Sequence, residues 1–102
     1  MKLKSLIAAA VFGLAAGNVM AADVAAGKSK AGICAACHGP DGISMIPNYP
    51  NLKGQKAAYL VKQLKDFKDK KRVDPIMGPQ AAALSDEDMA NIAAYFESLG
   101  AK

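Results

Sequence analysis

The stretch that decides the fold is Cys34-Ala35-Ala36-Cys37-His38. Cys-x-x-Cys-His is the attachment signature of a c-type haem. Two thiols three residues apart lie side by side on one helical turn, so both can add to the vinyl groups along one edge of a porphyrin. The next residue lies about 100° further round a helix of ~3.6 residues per turn and offers an imidazole nitrogen to the iron. The motif therefore predicts thioether anchors at Cys34 and Cys37 and a proximal iron ligand at His38.

Two other chemistries use the same cysteine spacing. A closed zinc site needs four ligands, usually as two Cys/His pairs, whereas this chain offers two cysteines and one histidine. A thioredoxin-like dithiol site needs a βαβ setting, and no strand-like alternating run flanks Cys34. The histidine directly after the second cysteine favours haem. A non-haem metal site or dithiol chemistry remains the alternative.

The N-terminal part of the chain has the features of an export signal. Lysines near the N-terminus precede an apolar run at residues 6–16, and small residues follow it. A membrane-spanning helix needs ~20 apolar residues, and this run is shorter and interrupted by glycine. We predict a signal peptide over residues 1–21, cleaved after Ala21 or Ala22, and one haem-binding domain over residues 22–102 in the periplasm.

The charge of the chain says little about partners. Thirteen Lys/Arg against nine Asp/Glu give a formal +4, which becomes +2 when Lys2 and Lys4 leave with the signal peptide. Two haem propionates bring the complex close to neutral, and nothing in this balance indicates nucleic-acid binding. Residues 65–72 are rich in lysine, but aspartates are interleaved, and the predicted i,i+4 ion pairs are Lys62–Asp66, Lys65–Asp69 and Asp66–Lys70. A solvated, self-paired face explains them better than a docking patch for an acidic partner.

Apolar spacing and end signals predict three main helices. The first covers residues 23–33 and continues through, or ends at, the haem motif, and Gly39-Pro40-Asp41-Gly42 then breaks it. The small Gly27 permits a close crossing with another helix. The second covers residues 55–71, with apolar residues at i, i+3, i+4 and i+7. The third begins at Ser85, whose acidic first turn suits the helix dipole, and ends at Gly100.

The haem iron needs a second axial ligand, or its sixth coordination position stays open. Without a second histidine, a methionine sulfur is the candidate, and His/Met ligation raises the reduction potential. Met89 lies on the apolar stripe of the last helix and is expected in the core. Met45 and Met77 lie in predicted loops, and chain length does not exclude Met45 at ~3.3–3.6 Å per extended residue. The proline on each side of Met77 gives rigid backbone that can cross the distal face, which favours Met77.

Further segments accompany the haem motif along the whole mature chain. They are Pro50-Asn51-Leu52-Lys53-Gly54-Gln55, Tyr59-Leu60 with Gln63-Leu64, Arg72 with Asp74-Pro75-Ile76-Met77, and Leu84-Ser85-Asp86 with Ile92-Ala93-Ala94-Tyr95-Phe96. The pattern resembles small periplasmic class I cytochromes c, particularly the single-haem unit that recurs twice in the dihaem members. The resemblance implies an all-α class I cytochrome c fold, with three to four helices wrapped around one covalently attached haem. It also implies Met77 as the distal ligand and the Pro50 carbonyl as the acceptor for the second ring nitrogen of His38.

With both axial positions filled by protein, the remaining task is outer-sphere electron transfer. We therefore expect a soluble, monomeric electron carrier of a respiratory chain rather than an enzyme. Its expected partners are redox proteins, with a membrane quinol-oxidising complex as donor and a terminal reductase or oxidase as acceptor, met in transient contacts. The alternative is a haem enzyme or sensor with a labile sixth ligand, such as a peroxidase or a gas-binding protein.

Overall fold

The computed structural model describes residues 21–100, so residues 1–20 of the predicted signal peptide lie outside the described residues. Between residues 21 and 100 the chain forms five α-helices and no strand, which confirms the predicted all-α class. The helices are α1 (Val24–Lys30), α2 (Gly32–His38), α3 (Ala57–Lys68), α4 (Met77–Ala82) and α5 (Asp86–Ser98). None of these helices is long and apolar enough to span a bilayer.

The first and last helices cross at close range. Asp23 caps α1 by accepting the Ala26 N–H at 3.0 Å, and its own N–H donates to Oδ1 of Asn91 in α5 at 2.8 Å. A Cβ built on Gly27 would lie only 1.9 Å from the carbonyl oxygen of Asn91. Only glycine allows this approach, so the predicted use of small residues for a helix crossing is confirmed.

Helix α5 forms the centre of the core. Ser85 and Asp88 form a capping box at its start, with each side chain accepting the other's backbone N–H at 3.0 Å. The predicted apolar stripe is buried, and Met89 and Phe96 are 0% and 1% exposed. The other buried members of the same cluster are Ala31, Leu60, Leu84, Ile92, Ala93 and Tyr95. The expected role of Met89 as a core residue is confirmed.

Three helix boundaries differ from the sequence predictions. The N-terminal helical stretch is interrupted at the buried Ala31, so the haem motif occupies a separate helix, α2. Helix α3 ends earlier than predicted because Lys70 adopts a left-handed conformation with φ +63°, which a continuing helix does not allow. Met77, predicted to lie in a loop, is the first residue of α4. Pro79 is compatible with this helix because the first-turn N–H groups have no intrahelical acceptor.

The self-paired face predicted for α3 is present only in part. Lys62 and Asp66 form the predicted i,i+4 ion pair at 2.8 Å. The predicted pairs Lys65–Asp69 and Asp66–Lys70 do not form within residues 21–100. The second of these is lost because Lys70 has left the helix, so the i,i+4 geometry no longer applies.

Candidate haem-binding site

The predicted site residues meet in one cavity of about 540 Å³. Cys34, Cys37 and His38 line it from α2, Pro50 lines it from the following loop, and Met77 lines it from the start of α4. Much of the remaining wall is apolar and consists of Ile33, Leu52, Leu60, Leu64, Phe67, Ile76, Ile92 and Phe96. Helices α3 and α5 thus supply an apolar surround for groups presented by α2 and α4.

The other methionine considered as a ligand lies away from this cavity. Met45 is 92% exposed and is not among the lining residues. Met89 is enclosed in the core cluster. Among the residues that the structure describes, Met77 is therefore the methionine that shares a cavity with His38.

Helix α2 presents two half-buried cysteine side chains to the cavity. Burial raises the pKa of the Cys34 thiol, and the proximity of Cys37 raises it further. The helix ends because Gly39 takes φ +88°, and a Cβ at that position would lie 2.0 Å from the carbonyl oxygen of Ile43. The predicted end of the helix after the haem motif is confirmed, and it depends on glycine at position 39.

The imidazole of His38 is buried and has a defined proton position. Its Nδ1 lies 2.8 Å from the carbonyl oxygen of Pro50, the pair of groups that the resemblance implied. A carbonyl can only accept, so Nδ1 carries the proton and donates it. The lone pair is then on Nε2, the arrangement in which a neutral histidine binds a metal.

The loop that carries Pro50 is tied to α2 by polar contacts that the sequence analysis missed. The Ser44 hydroxyl lies 3.0 Å from the carbonyl oxygen of Cys37. The Ser44 N–H donates to Oδ1 of Asn51 at 2.8 Å. Serine and asparagine are frequent in turns for this reason, but their sequence positions do not reveal which distant group each one binds.

The same loop is anchored at both ends on α5. The Tyr95 hydroxyl donates to the carbonyl oxygen of Pro40 at 3.0 Å. The Gly54 N–H donates to the carbonyl oxygen of Phe96 at 2.9 Å. The position of His38 and its carbonyl partner is therefore coupled to the packing of the C-terminal helix.

On the opposite side, Asp74 binds the backbone of Met77. Its carboxylate accepts the N–H of Ile76 at 2.8 Å and the N–H of Met77 at 2.9 Å. These two hydrogen bonds hold the pKa of Asp74 below its ordinary value of 3.8, and the nearby Arg72 acts in the same direction. The sequence analysis assigned no role to Asp74, although an Asp-Pro pair is a recognised turn signal.

A second polar group at the cavity was also missed. Arg72 lines the cavity, and its guanidinium donates to Oε1 of Gln63 at 2.6 Å. The same guanidinium lies 4.5 Å from the centre of the Phe67 ring, within the range of a cation–π contact. The cavity therefore has one cationic side chain along its mostly apolar lining.

These groups fit an iron porphyrin. No three Cys, His, Asp or Glu side chains within residues 21–100 are grouped so as to hold a metal ion by themselves. A haem iron already has four ring nitrogens and takes its remaining ligands from the protein. His38 and Met77 offer one nitrogen and one sulfur to the same cavity, and two thiols lie on its wall.

Comparison with known proteins gives consistent matches. A family model described as cytochrome c matches residues 24–100. Cytochrome c4 of Pseudomonas aeruginosa is 54% identical over 78 residues, which cover 76% of this chain and 39% of that protein. Cytochrome c-554(548) of Halomonas halodenitrificans is 51% identical over 81 residues, covering 76% of this chain and 98% of that protein.

The fold is also similar to a solved structure. The crystal structure of reduced cytochrome c4 from Pseudomonas stutzeri aligns with a TM-score of 0.72 at 44% identity. The alignment covers 76% of this chain and 46% of the other chain. This chain therefore spans less than half the length of the two cytochromes c4, and nearly the whole length of cytochrome c-554(548).

Proposed function

Since this chain belongs to the cytochrome c family, we propose that it is a periplasmic electron carrier with one haem ligated by His38 and Met77. The class I cytochrome c fold and the resemblance to one half of the dihaem cytochromes are confirmed by its relatives. Family membership makes haem c, covalently bound, its cofactor. The observation that carries the proposed ligation is the shared cavity of His38 and Met77, from which Met45 is absent.

Each side chain has a distinct role in this proposal. When bound, the haem supplies a one-electron couple between ferrous and ferric iron. Cys34 and Cys37 hold it covalently on α2, and Pro50 keeps the His38 imidazole in one tautomer and one orientation. Met77 would supply a sulfur ligand to the iron, which favours the reduced state. The apolar side chains of α3 and α5 would limit the access of water to the site.

This ligand set supports an electron carrier over an enzyme. With nitrogen and sulfur from the protein in both axial positions, no substrate reaches the iron, and only electrons pass. A peroxidase or gas sensor needs an open or labile sixth position. The buried imidazole and the rigid loop that supports it suit a site that changes little between oxidation states.

The partners follow from the same proposal. Residues 1–21 act as a signal peptide that delivers the cytochrome c domain, residues 22–102, to the periplasm. There the protein accepts an electron from a quinol-oxidising complex and passes it to a terminal reductase or oxidase. The formal charge of the mature chain is small, so docking is weak and transient.

The test compares two methionine variants of the purified protein. The wild type should be red, give a positive pyridine haemochrome test and keep its colour after acid-acetone extraction. Its ferric form should show the sulfur-to-iron charge-transfer band, and its ferrous form should not bind carbon monoxide readily at neutral pH. Met77→Ala should abolish the band and allow carbon monoxide binding. Met45→Ala is the matched control and should change neither.

Three results would contradict this proposal. Ready carbon monoxide binding by the wild type would favour an enzyme or sensor with a labile ligand. Loss of the band in Met45→Ala with retention in Met77→Ala would identify the other methionine as the ligand. A colourless product with free or disulfide-bonded thiols would favour the non-haem alternatives.

A further inference from the structure

We propose that Asp74 is the residue that positions Met77 for axial ligation, by binding the backbone at the start of α4. This inference rests on the proposed function, because it takes Met77 as the sixth ligand. Asp74 also lines the cavity, and the role inferred for it is exerted through the backbone of Met77. This role also predicts that the distal ligand is released by a change that leaves the rest of the fold intact.

The geometry of residues 74–78 carries the inference. One carboxylate oxygen of Asp74, Oδ1, accepts the N–H groups of Ile76 and Met77 at 2.8 and 2.9 Å. The backbone carbonyl of Asp74 accepts the N–H of Gly78 at 2.9 Å. Asp74 thus binds three consecutive N–H groups, and the one in the middle belongs to Met77. Pro75 lies between Asp74 and Ile76, and its fixed φ restricts the backbone of this turn further.

Between Arg72, which is held by Gln63 and Phe67, and Met77, apolar packing is weak. Val73 is 85% exposed and Ile76 is 46% exposed, so apolar burial contributes little before the ligand. On the C-terminal side, Ala81 is fully buried and fixes the other end of α4. A helix of six residues is too short to be stable on its own backbone hydrogen bonds. The Asp74 hydrogen bonds are therefore the contacts that determine where α4 begins.

The chain contains a matched control for this arrangement. Asp41 also accepts a backbone N–H two residues ahead, that of Ile43, through Oδ1 at 3.1 Å. This second turn lies in the loop after the haem motif and carries no proposed ligand. If an aspartate turn near the cavity affects the methionine only by stabilising the whole fold, Asp74→Ala and Asp41→Ala will behave alike. If Asp74 positions Met77, only its own variants will affect the sulfur.

The experiment measures ligand release separately from unfolding, in the haem-loaded protein. Release is followed by the charge-transfer band of the ferric form and by the rate of carbon monoxide binding to the ferrous form. Unfolding is followed by far-ultraviolet circular dichroism during thermal denaturation. Asp74→Ala should raise the carbon monoxide binding rate roughly five- to tenfold, the net effect of losing about one hydrogen bond. The band should then disappear at a lower temperature than the helicity.

Two conservative variants separate geometry from charge. Asp74→Asn keeps an oxygen at the same position and should retain the band and the slow carbon monoxide binding of the wild type. Asp74→Glu keeps the charge but displaces the carboxylate by one methylene, and should release the sulfur as alanine does. Because Asp74→Glu is a mild change at a partly exposed residue, it keeps the test valid if the alanine variant does not fold.

The possible failures are distinguishable. A wild-type protein without the band would overturn the proposed function itself. A wild-type protein with the band, together with equal carbon monoxide binding rates in Asp74→Ala and Asp41→Ala, would overturn only the positioning role of Asp74. Simultaneous loss of band and helicity in every Asp74 variant would assign the residue to global stability and would also overturn the inference.

Discussion

The two sides of the haem cavity are held in different ways. The proximal side, residues 34–54, is tied to α5 by contacts between residues far apart in sequence, such as Tyr95 and Pro40, 55 positions apart. The distal side, residues 70–77, is held by hydrogen bonds between residues two to nine positions apart. His38 therefore belongs to the cooperative core, whereas Met77 belongs to a segment that can open locally. On the proposed ligation, the Met77 sulfur should leave the iron before the fold unfolds.

The largest predicted effect comes from breaking the proximal side. Gly39→Ala places a Cβ at 2.0 Å from the Ile43 carbonyl oxygen and forces φ +88° on a residue that disfavours it. We expect the free energy of unfolding to fall by more than ~2 kcal/mol. Urea denaturation followed by circular dichroism measures the change, and the charge-transfer band should be lost in the same transition.

Gly32→Ala, at the start of the helix that Gly39 ends, is the control. No atom lies within 4 Å of a Cβ built there, and its φ is not positive. We expect the free energy of unfolding of this variant to rise by up to ~1 kcal/mol, because alanine loses less backbone entropy than glycine on entering a helix. Equal stability of the two alanine variants would show that the proximal side is not coupled to the global fold in the way described.

An intermediate effect should follow removal of one long-range contact. Tyr95→Phe deletes the hydrogen bond from the hydroxyl to the Pro40 carbonyl while keeping the ring in the core. We expect a loss of about 1 kcal/mol in the free energy of unfolding. The band and the helicity should again disappear at the same urea concentration. Early loss of the band alone would mean that this contact acts on the ligand rather than on the fold.

The smallest effect concerns the α5 capping box at acid pH. The Ser85 N–H bond to Asp88, together with Lys30 3.6 Å away, holds the pKa of the Asp88 carboxyl below its ordinary value of 3.8. A carboxyl with a lowered pKa stabilises the fold above its unfolded pKa, and this contribution disappears as pH falls through the folded value. Acid should therefore weaken the start of α5 below about pH 4.

The pH dependence of thermal unfolding between pH 7 and pH 3 tests this prediction. Asp88→Asn should be less stable than the wild type at neutral pH and should lose less stability on acidification. Glu87→Gln removes the same charge from the same turn but leaves the capping box intact, and should follow the wild-type profile. Parallel profiles for the wild type and Asp88→Asn would assign the acid sensitivity to other groups.

The features that were predicted correctly depend on short-range signals. The break at Gly39, the start of α5 at Ser85 and the burial of Met89 each follow from a few neighbouring residues. The prediction failed where tertiary or turn geometry competes with these signals. Lys70 lies outside the helix in a left-handed conformation, so the predicted Asp66–Lys70 pair does not form.

Helix α4 shows why the distal side was harder to predict. Two prolines around Met77 favour irregular structure, and the six-residue helix has no apolar periodicity long enough to recognise. Its position depends on the Asp74 hydrogen bonds at one end and on the burial of Ala81 at the other. Burial of a single alanine cannot be read from composition, because it depends on which helices surround it.

The attachment motif could be identified without a structure, because Cys34, Cys37 and His38 lie within two helical turns whose geometry the backbone imposes. Which methionine shares a cavity with His38 depends on tertiary packing. Met77 lies 39 positions further along the chain, and its place depends on how α3, α4 and α5 pack. Met45 is much closer in sequence and remains in solvent. The geometry of a short motif follows from neighbouring residues, whereas contact between residues far apart in sequence depends on how the whole core packs.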